Sequence, residues 1–495
     1  MRREGAWWLV LTIAGLAALV TWTQIGSLRY ELIDHDEATF MVMAQSVMRG
    51  HLPYIEAFDN KPPGLFYALA ATMWAFGQSV ASTRLLGDLC ILGSTLCLLA
   101  VGRKYLRLWG ATALAAMFAS AHLMKIAEYT SAEVVANLPM AGALLLLLRA
   151  RRSYAAVFAA GVLLSAATLI RTNLGIVALA VAVLLLVAAR RPGLVGVKRW
   201  AVVALGLGGL VPVAALVAAY AAEGQVAALW AAAVRVPLAY TGDGQGFGAV
   251  VLGFLGTIGA LVVASPGSAL LGLGTIGASL VLAARWRRLA AESRQDLLIV
   301  LVLVLATLVS MLVGGVFYPH YAIQLFPVAT VLMALGAVVS ELRWRVSGAV
   351  AAGVFAVASM ALATPDNLAV LEQKAKRIPY GLEELAGELR AELGPDDRVW
   401  TIEHAMLLFY LDQPPISPLA TLPSMLFNLR VTQPLVDAGV VTDHEAERVM
   451  ATRPKFVVRR TGQYTWEVED FLASSYETYM VRGEVTVLRR REKGA

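Results

Sequence analysis

Charge is scarce in this chain. Asp, Glu, Lys and Arg supply 15% of its 495 residues, where a soluble globular protein has about 25%. That shortage stands beside 58% hydrophobic residues and a mean hydropathy of +0.67. Together they exclude an ordinary soluble enzyme and a disordered chain, and leave an α-helical polytopic membrane protein. Cysteine is scarcer still. Cys90 and Cys97 are seven residues apart in one apolar run, on one helix face but too distant to pair. They read as packing thiols, with no disulfide framework or metal site implied. The small basic excess, 41 Lys and Arg against 35 Asp and Glu, does not call for nucleic acid. Membrane proteins collect Lys and Arg in their cytoplasmic loops.

A spanning helix needs about 20 mostly apolar residues. About eleven stretches qualify: 7–26, 84–104, 110–130, 134–148, 154–170, 174–189, 200–220, 266–284, 297–317, 322–341 and 346–363. Pro63–Phe76 and Phe247–Ala264 are ambiguous, and would raise the number to thirteen. The first run follows Met1-Arg2-Arg3 and shows no small-x-small cleavage site before Arg29. It therefore reads as a retained span, with a cleavable signal peptide as the competing assignment.

Basic clusters fall at Arg103-Lys104, Arg149 to Arg152, Arg190-Arg191 with Lys198-Arg199, Arg285 to Arg288, and Arg343 with Arg345. If all face the cytoplasm, each is separated from the next by an even number of spans. This holds only if neither ambiguous stretch crosses alone, so both are expected as interfacial or re-entrant helices. The opposite side then receives the loop 27–83, the segment 221–246, and the turns at Glu133, Arg171 and His320. Composition turns polar near Thr364. Residues 1–364 are expected as the transmembrane domain and 365–495 as a small C-terminal extracytoplasmic α/β domain.

Polar residues are costly in a membrane protein and therefore informative. The first outer loop carries Asp34-His35-Asp36-Glu37-Ala38-Thr39-Phe40, then Gly50-His51-Leu52-Pro53-Tyr54, then Asp59-Asn60-Lys61-Pro62-Pro63-Gly64. A carboxylate just above a membrane can act as general base on an acceptor hydroxyl or amine. A lysine at a helix start can hold a lipid-linked phosphate as a point charge. A solvated loop with a Pro-Pro helix start accounts for the same residues without chemistry.

The order Asp36-Glu37-Ala-x-Phe40, Gly50-x-x-Pro53-Tyr54 and Asn60-Lys61-Pro62-Pro63-Gly64-Leu65-Phe66-Tyr67 resembles the first outer loop of type C fold bacterial membrane glycosyltransferases. These include the protein O-mannosyltransferases and the lipid A aminoarabinose transferase. Ala132-Glu133, Arg171-Thr172-Asn173-Leu174-Gly175 and Pro319-His320-Tyr321 extend the resemblance along the membrane part. It implies a glycosyltransferase of the inner membrane that uses a polyprenyl-phosphate sugar and acts on the extracytoplasmic side. The acceptor would be a lipid, a glycan or a protein. By the same resemblance Asp36 is the catalytic base, Glu37 its partner, and Lys61 the cation on the donor phosphate. Thr39 stands where the aminoarabinose transferase carries an arginine.

Arg171 is a second candidate for the phosphate, because an outer-face arginine runs against the charge rule. Asp34, Glu133, His320 and Tyr321 are expected to line the site. Lys125 and Glu128 read as a structural ion pair, and Arg235 as a weaker site candidate. No cofactor is implied. A divalent metal is left open, since His35 beside Asp36 is weak evidence for one. A transporter or flippase of lipid-linked sugars is the alternative function. It predicts mid-membrane charges and internal repeats, whereas the ionisable residues here gather at the outer ends. A catalytically silent membrane scaffold is a third.

Overall fold

In a computed structural model, the described residues are 6–33, 35–122, 130–191, 193–240, 247–313, 318–340, 361, 364–365, 368–373, 381–420, 423–462 and 466–492. Eight helices among them are 18 residues or longer and apolar enough to cross a membrane. The chain also divides into two compact units, and neither is continuous in sequence.

The first unit comprises Met1–Arg29, Arg84–Leu216 and Gly244–Leu371. Its helices are apolar on nearly every face, as expected of segments packed in a bundle within lipid. In chain order the first helices are α1 (Ala6–Ile25), α2 (His35–Met48), α3 (Pro63–Phe76), α4 (Val80–Tyr105), α5 (Leu108–Ala121), α6 (Ala132–Arg149), α7 (Tyr154–Ile170), α8 (Gly175–Arg190) and α9 (Ala201–Ala222). Of these, α2 and α3 belong to the second unit. Helices Phe247–Ala264, Pro266–Arg285, Ala291–Val313 and Phe326–Val339 complete the bundle.

α6 packs on α7, α8 on Ala291–Val313, and Pro266–Arg285 on both α5 and Phe326–Val339. Helices α7 and α9 cross with almost no side-chain cushion. A Cβ on Gly161 would lie 2.1 Å from the Leu205 carbonyl, and one on Gly208 1.9 Å from that of Phe158. Small residues allow such backbone approach where lipid gives no hydrophobic drive.

Three of the expected spans are not among the eight long apolar helices. In the stretch 110–130, α5 is described to Ala121, and 123–129 lie outside the described residues. Tyr154–Ile170 forms with the expected bounds and, at 17 residues, counts among the shorter apolar helices. The stretch 346–363 falls almost wholly outside the described residues, as do Lys125 and Glu128. Phe247–Ala264, expected as an interfacial or re-entrant helix, is one 18-residue helix. It is joined to its neighbour through Ser265, whose side chain accepts from Ser268 N–H in a capping box.

One end of this unit is basic, and its charges are locked. Asp296, fully buried, pairs with Arg151 at 2.6 Å and Lys104 at 2.7 Å. It also accepts from Tyr105 Oη at 2.8 Å. Arg151 reaches the Val195 carbonyl at 2.6 Å, Lys104 that of Leu148 at 2.7 Å, and Gln295 that of Gly193 at 3.0 Å. Four chain turns are thereby joined at one carboxylate. A buried carboxylate is tolerated when it is paired and fully hydrogen-bonded.

The second unit gathers Tyr30–Thr83, Val217–Asp243 and Glu372–Ala495. Its sheet has the order β1-β2-β4-β3, with β1 (Val399–Thr401) parallel to β2 (Phe456–Arg460). β4 (Val485–Arg490) pairs antiparallel with β2 and with β3 (Tyr476–Arg482). Fully buried Trp400, Phe456, Val457 and Val458 form its core.

The first-loop segment is stitched into this unit. The Glu31 carboxylate accepts from the N–H groups of Gly381 at 2.8 Å and Glu383 at 2.8 Å, capping helix Leu382–Glu392. A carboxylate at that end also suits the helix dipole. Gln45 donates to the Phe409 carbonyl at 3.0 Å, and the Phe58 N–H to that of Pro418 at 3.1 Å. Helix Ala405–Leu411 packs along α2.

Candidate active site

Asp36 and Glu37 sit in the first turn of α2, where carboxylates are favoured by the free N–H groups. Glu37 Oε2 turns back to the Ile33 N–H at 3.4 Å. Glu37 thus fastens the chain entering the helix, and Asp36 is the carboxylate that faces outward. Asp34 lies outside the described residues.

Lys61 approaches from a tight loop before α3. Its Nζ is 2.8 Å from Asp36 Oδ2, 3.5 Å from Asp59 Oδ1 and 5.1 Å from the centre of the Phe40 ring. The two carboxylates differ in setting. The Asp36 side chain is 58% exposed and that of Asp59 only 2%. Asp59 Oδ1 also accepts the Lys61 backbone N–H at 2.9 Å, an Asx turn that fixes where the lysine starts. Burial pushes the Asp59 carboxyl up, Lys61 pulls it down, and Asp36 pushes it up again, leaving it above the usual range.

Tyr54 Oη donates to the Lys61 carbonyl at 2.8 Å. Tyr54 is fully buried against Phe58 and Phe66 and holds φ at +76°. A bulky residue rarely adopts that region, so the aromatic packing sustains a strained turn beside the site. Burial, with Tyr220 and Asp59 nearby, raises the Tyr54 hydroxyl well above the ordinary tyrosine value. Tyr220 Oη closes the loop by donating to the Pro53 carbonyl at 2.7 Å.

The first unit holds a separate cluster. Ser131 caps α6 by accepting from the Val134 N–H at 3.4 Å, which places Glu133 in the first turn. Arg171 Nη1 lies 2.7 Å from Glu133 Oε1, and His320 Nε2 3.8 Å from the same oxygen. The guanidinium lies 4.1 Å above the Tyr321 ring, and Tyr318 stacks on His320. Glu133 is almost wholly buried, so its charge needs this partner. Asn173 donates to Ser310 at 3.1 Å and Gln324 at 3.0 Å, holding the turn that presents Arg171. The cluster occupies the opposite end of α6 from the basic turn at Arg149.

The expected residues therefore fall into two groups. Asp36, Glu37 and Lys61 come together in one unit, and Glu133, Arg171, His320 and Tyr321 in the other. Asp59 and Tyr54 were not among the expected residues. Asp59-Asn60 reads in the sequence as an ordinary turn, and Tyr54 as part of a family pattern. Arg235, the weaker candidate, pairs with Asp437 at 2.7 Å. Cys90 and Cys97 are free thiols. Among the described residues no group of three His, Cys, Asp or Glu side chains gathers as metal ligands.

No protein-family model and no curated protein matches this chain in sequence. Solved structures do match its fold. ArnT from Cupriavidus metallidurans bound to undecaprenyl phosphate superposes with a TM-score of 0.67 at 16% identity, over 99% of both chains. The same protein in the apo state gives 0.64 at 17% identity. AglB, an archaeal oligosaccharyltransferase from Archaeoglobus fulgidus in complex with an inhibitory peptide and a dolichol-phosphate, gives 0.53 at 12% identity. That match spans 99% of this chain and 75% of AglB. The α-helical polytopic membrane fold with a small C-terminal sheet, expected from the sequence, is thus the fold of this chain, and it is the type C fold that ArnT and AglB share.

Proposed function

We propose that this protein is an integral-membrane glycosyltransferase that moves a sugar from a polyprenyl-phosphate donor to an acceptor outside the cytoplasm. The observation that carries the proposal is the 2.8 Å pairing of Asp36 with Lys61 on the first-loop segment. A base and a phosphate-binding cation stand together in a fold of which two solved examples hold undecaprenyl phosphate or dolichol-phosphate. Asp36 takes the proton of the acceptor hydroxyl or amine. The freed lone pair attacks the anomeric carbon, the bond from that carbon to the phosphate oxygen breaks, and the polyprenyl phosphate leaves with the electron pair. Lys61 neutralises the charge that grows on that oxygen. Phosphate is a good leaving group, so positioning and charge supply most of the acceleration.

Arg171, steadied by Glu133 and Tyr321, is a cation that the helical unit offers to a phosphate, and His320 lines that cluster. The basic end around Asp296 belongs in the cytoplasm under the positive-inside rule. In a bacterial cell the enzyme would lie in the inner membrane, with membrane lipids around the bundle and the second unit facing out. The sugar is a hexose or a pentose, and the acceptor a lipid, glycan or protein. The test is incubation of the purified protein with a panel of radiolabelled polyprenyl-phosphate sugars. Release of label from the lipid supports the enzyme. Movement of intact labelled lipid across vesicles without release supports a flippase and overturns the proposal.

A further inference from the structure

The turn Trp286–Arg288 joins helix Pro266–Arg285 to helix Ala291–Val313, and both helices are long and apolar enough to cross a membrane. A 20-residue helix rises about 30 Å, the thickness of the hydrocarbon core. A short turn between two such helices is therefore held in the headgroup layer. Leu289 anchors it, with its side chain buried and its N–H donating to the Trp286 carbonyl at 3.1 Å. Trp286 stays 47% exposed. Two guanidinium groups lie over its ring, Arg287 at 5.8 Å from the centre and Arg294 at 5.6 Å. Arg294 is fixed there, because its Nε donates to the Leu289 carbonyl at 2.9 Å and its Nη2 to that of Arg287 at 2.6 Å. The clasp around Asp296 does not extend to this turn. Glu292, the carboxylate nearest in sequence, pairs with Lys104 at 3.2 Å. Among the described residues no carboxylate pairs with Arg287 or Arg294.

We propose that Trp286, Arg287 and Arg294 form a binding site for the phosphodiester headgroup of an anionic phospholipid. A guanidinium fork matches two phosphate oxygens at once. The Arg287 fork and Nη1 of Arg294 supply donors that the turn itself does not use. The indole suits the same layer, with its ring against the glycerol and upper acyl carbons and its N–H toward polar groups. Two cations beside one ring also select among lipids. They attract a headgroup with net negative charge, and they repel the ammonium of a zwitterionic one. The site lies on a turn of the helical unit and does not depend on the assignment of Asp36 and Lys61, nor on which leaflet the turn meets.

The experiment measures retention of radiolabelled phosphatidylglycerol by the purified full chain in a neutral detergent, beside phosphatidylcholine. Phosphatidylglycerol is expected to bind in preference. Arg287→Gln and Arg294→Gln should each lower its affinity about fivefold, the scale of one arginine at an anionic surface. The double variant should lose about 25-fold if the two act independently. Arg287→Lys should keep most of the affinity, since the charge survives. Arg294→Gln also removes two bonds that hold the turn. If that variant does not fold, Arg287→Gln decides alone. Arg199 lies 5.3 Å from the centre of the Trp200 ring at another turn, and Arg199→Gln is the control for diffuse attraction. A loss in that control as large as in Arg287→Gln overturns the site. Equal retention of phosphatidylcholine overturns it as well. Full displacement of the lipid by soluble glycerol phosphate would show a site for free phosphate and overturn the lipid assignment.

Discussion

Asp36 and Lys61 differ in what a conservative change removes. Asp36→Asn keeps size and takes away the proton acceptor, so turnover should fall by about 10²–10⁴ while donor binding persists. Single-turnover assays of Asp36→Asn beside Asp34→Asn check the choice of base. Near-normal turnover in the first with collapse in the second would transfer the role to Asp34. Lys61→Ala should lose both donor affinity and rate, because ground-state and developing phosphate charge depend on it. Lys61→Arg should restore part of each, since charge survives and geometry does not. Equal donor affinity and rate in Lys61→Ala and wild type would reduce the lysine to an interfacial anchor.

Asp36, Glu37 and Lys61 stand out in sequence as charges beside long apolar runs, and their proposed roles come from the family resemblance. Asp59 was not legible, since its burial depends on Tyr54, Phe58 and Phe66 folding over it. The partnership of Glu133 with Arg171 was equally hidden, because their contact at 2.7 Å closes a separation of 38 residues.

At the scale of elements, apolar length predicted most helices and failed where length alone could not separate cases. Phe247–Ala264 has the composition of a span and the charge parity of something else, and it forms one helix. Residues 398–403, 455–460 and 483–490 alternate or run like strands in the sequence, and β1, β2 and β4 form there. The helix Glu445–Ala451 was not legible, because a buried glutamate starts it. Burial pushes the Glu445 carboxyl up, but Arg448, Ser417 and Thr442 outweigh it and bring it down to about 2 from the ordinary 4.5. A carboxylate depressed in the folded state adds stability above its unfolded value and loses it as pH falls through the folded one. The C-terminal unit should therefore lose stability between about pH 4.5 and 2. Glu445→Gln should lower stability at neutral pH and flatten that acid loss. Thermal unfolding of both forms across this range is the check, and parallel acid slopes would contradict it.

For the whole molecule, orientation is the quantity that the fold leaves to be measured. The eleven expected spans put the C-terminus outside the cytoplasm. A reporter active only in the periplasm, fused after Ala495, should give signal. Signal from a cytoplasmic reporter alone would reverse the proposed sidedness, and the acceptor side with it. The division of the chain into interleaved units also could not be read from composition. It arises because Glu31, Gln45 and Phe58 find their partners more than 300 residues away.

The carboxylate of Asp296 gives the basic turns two successive lives. Under the proposed orientation, Lys104 and Arg151 are exposed cations in a chain leaving the ribosome, and their charge keeps their loops from being translocated. Asp296 has not yet been made at that time, since it follows Arg151 by 145 residues. Once it arrives, the same cations are paired, Lys104 also with Glu292 at 3.2 Å, and become a clasp that closes the bundle. Biogenesis and stability thus draw on one set of charges at different moments. Asp296→Asn should leave the topology unchanged and make the assembled protein labile. Reporter fusions and unfolding in detergent, measured on the same variant, separate the two roles.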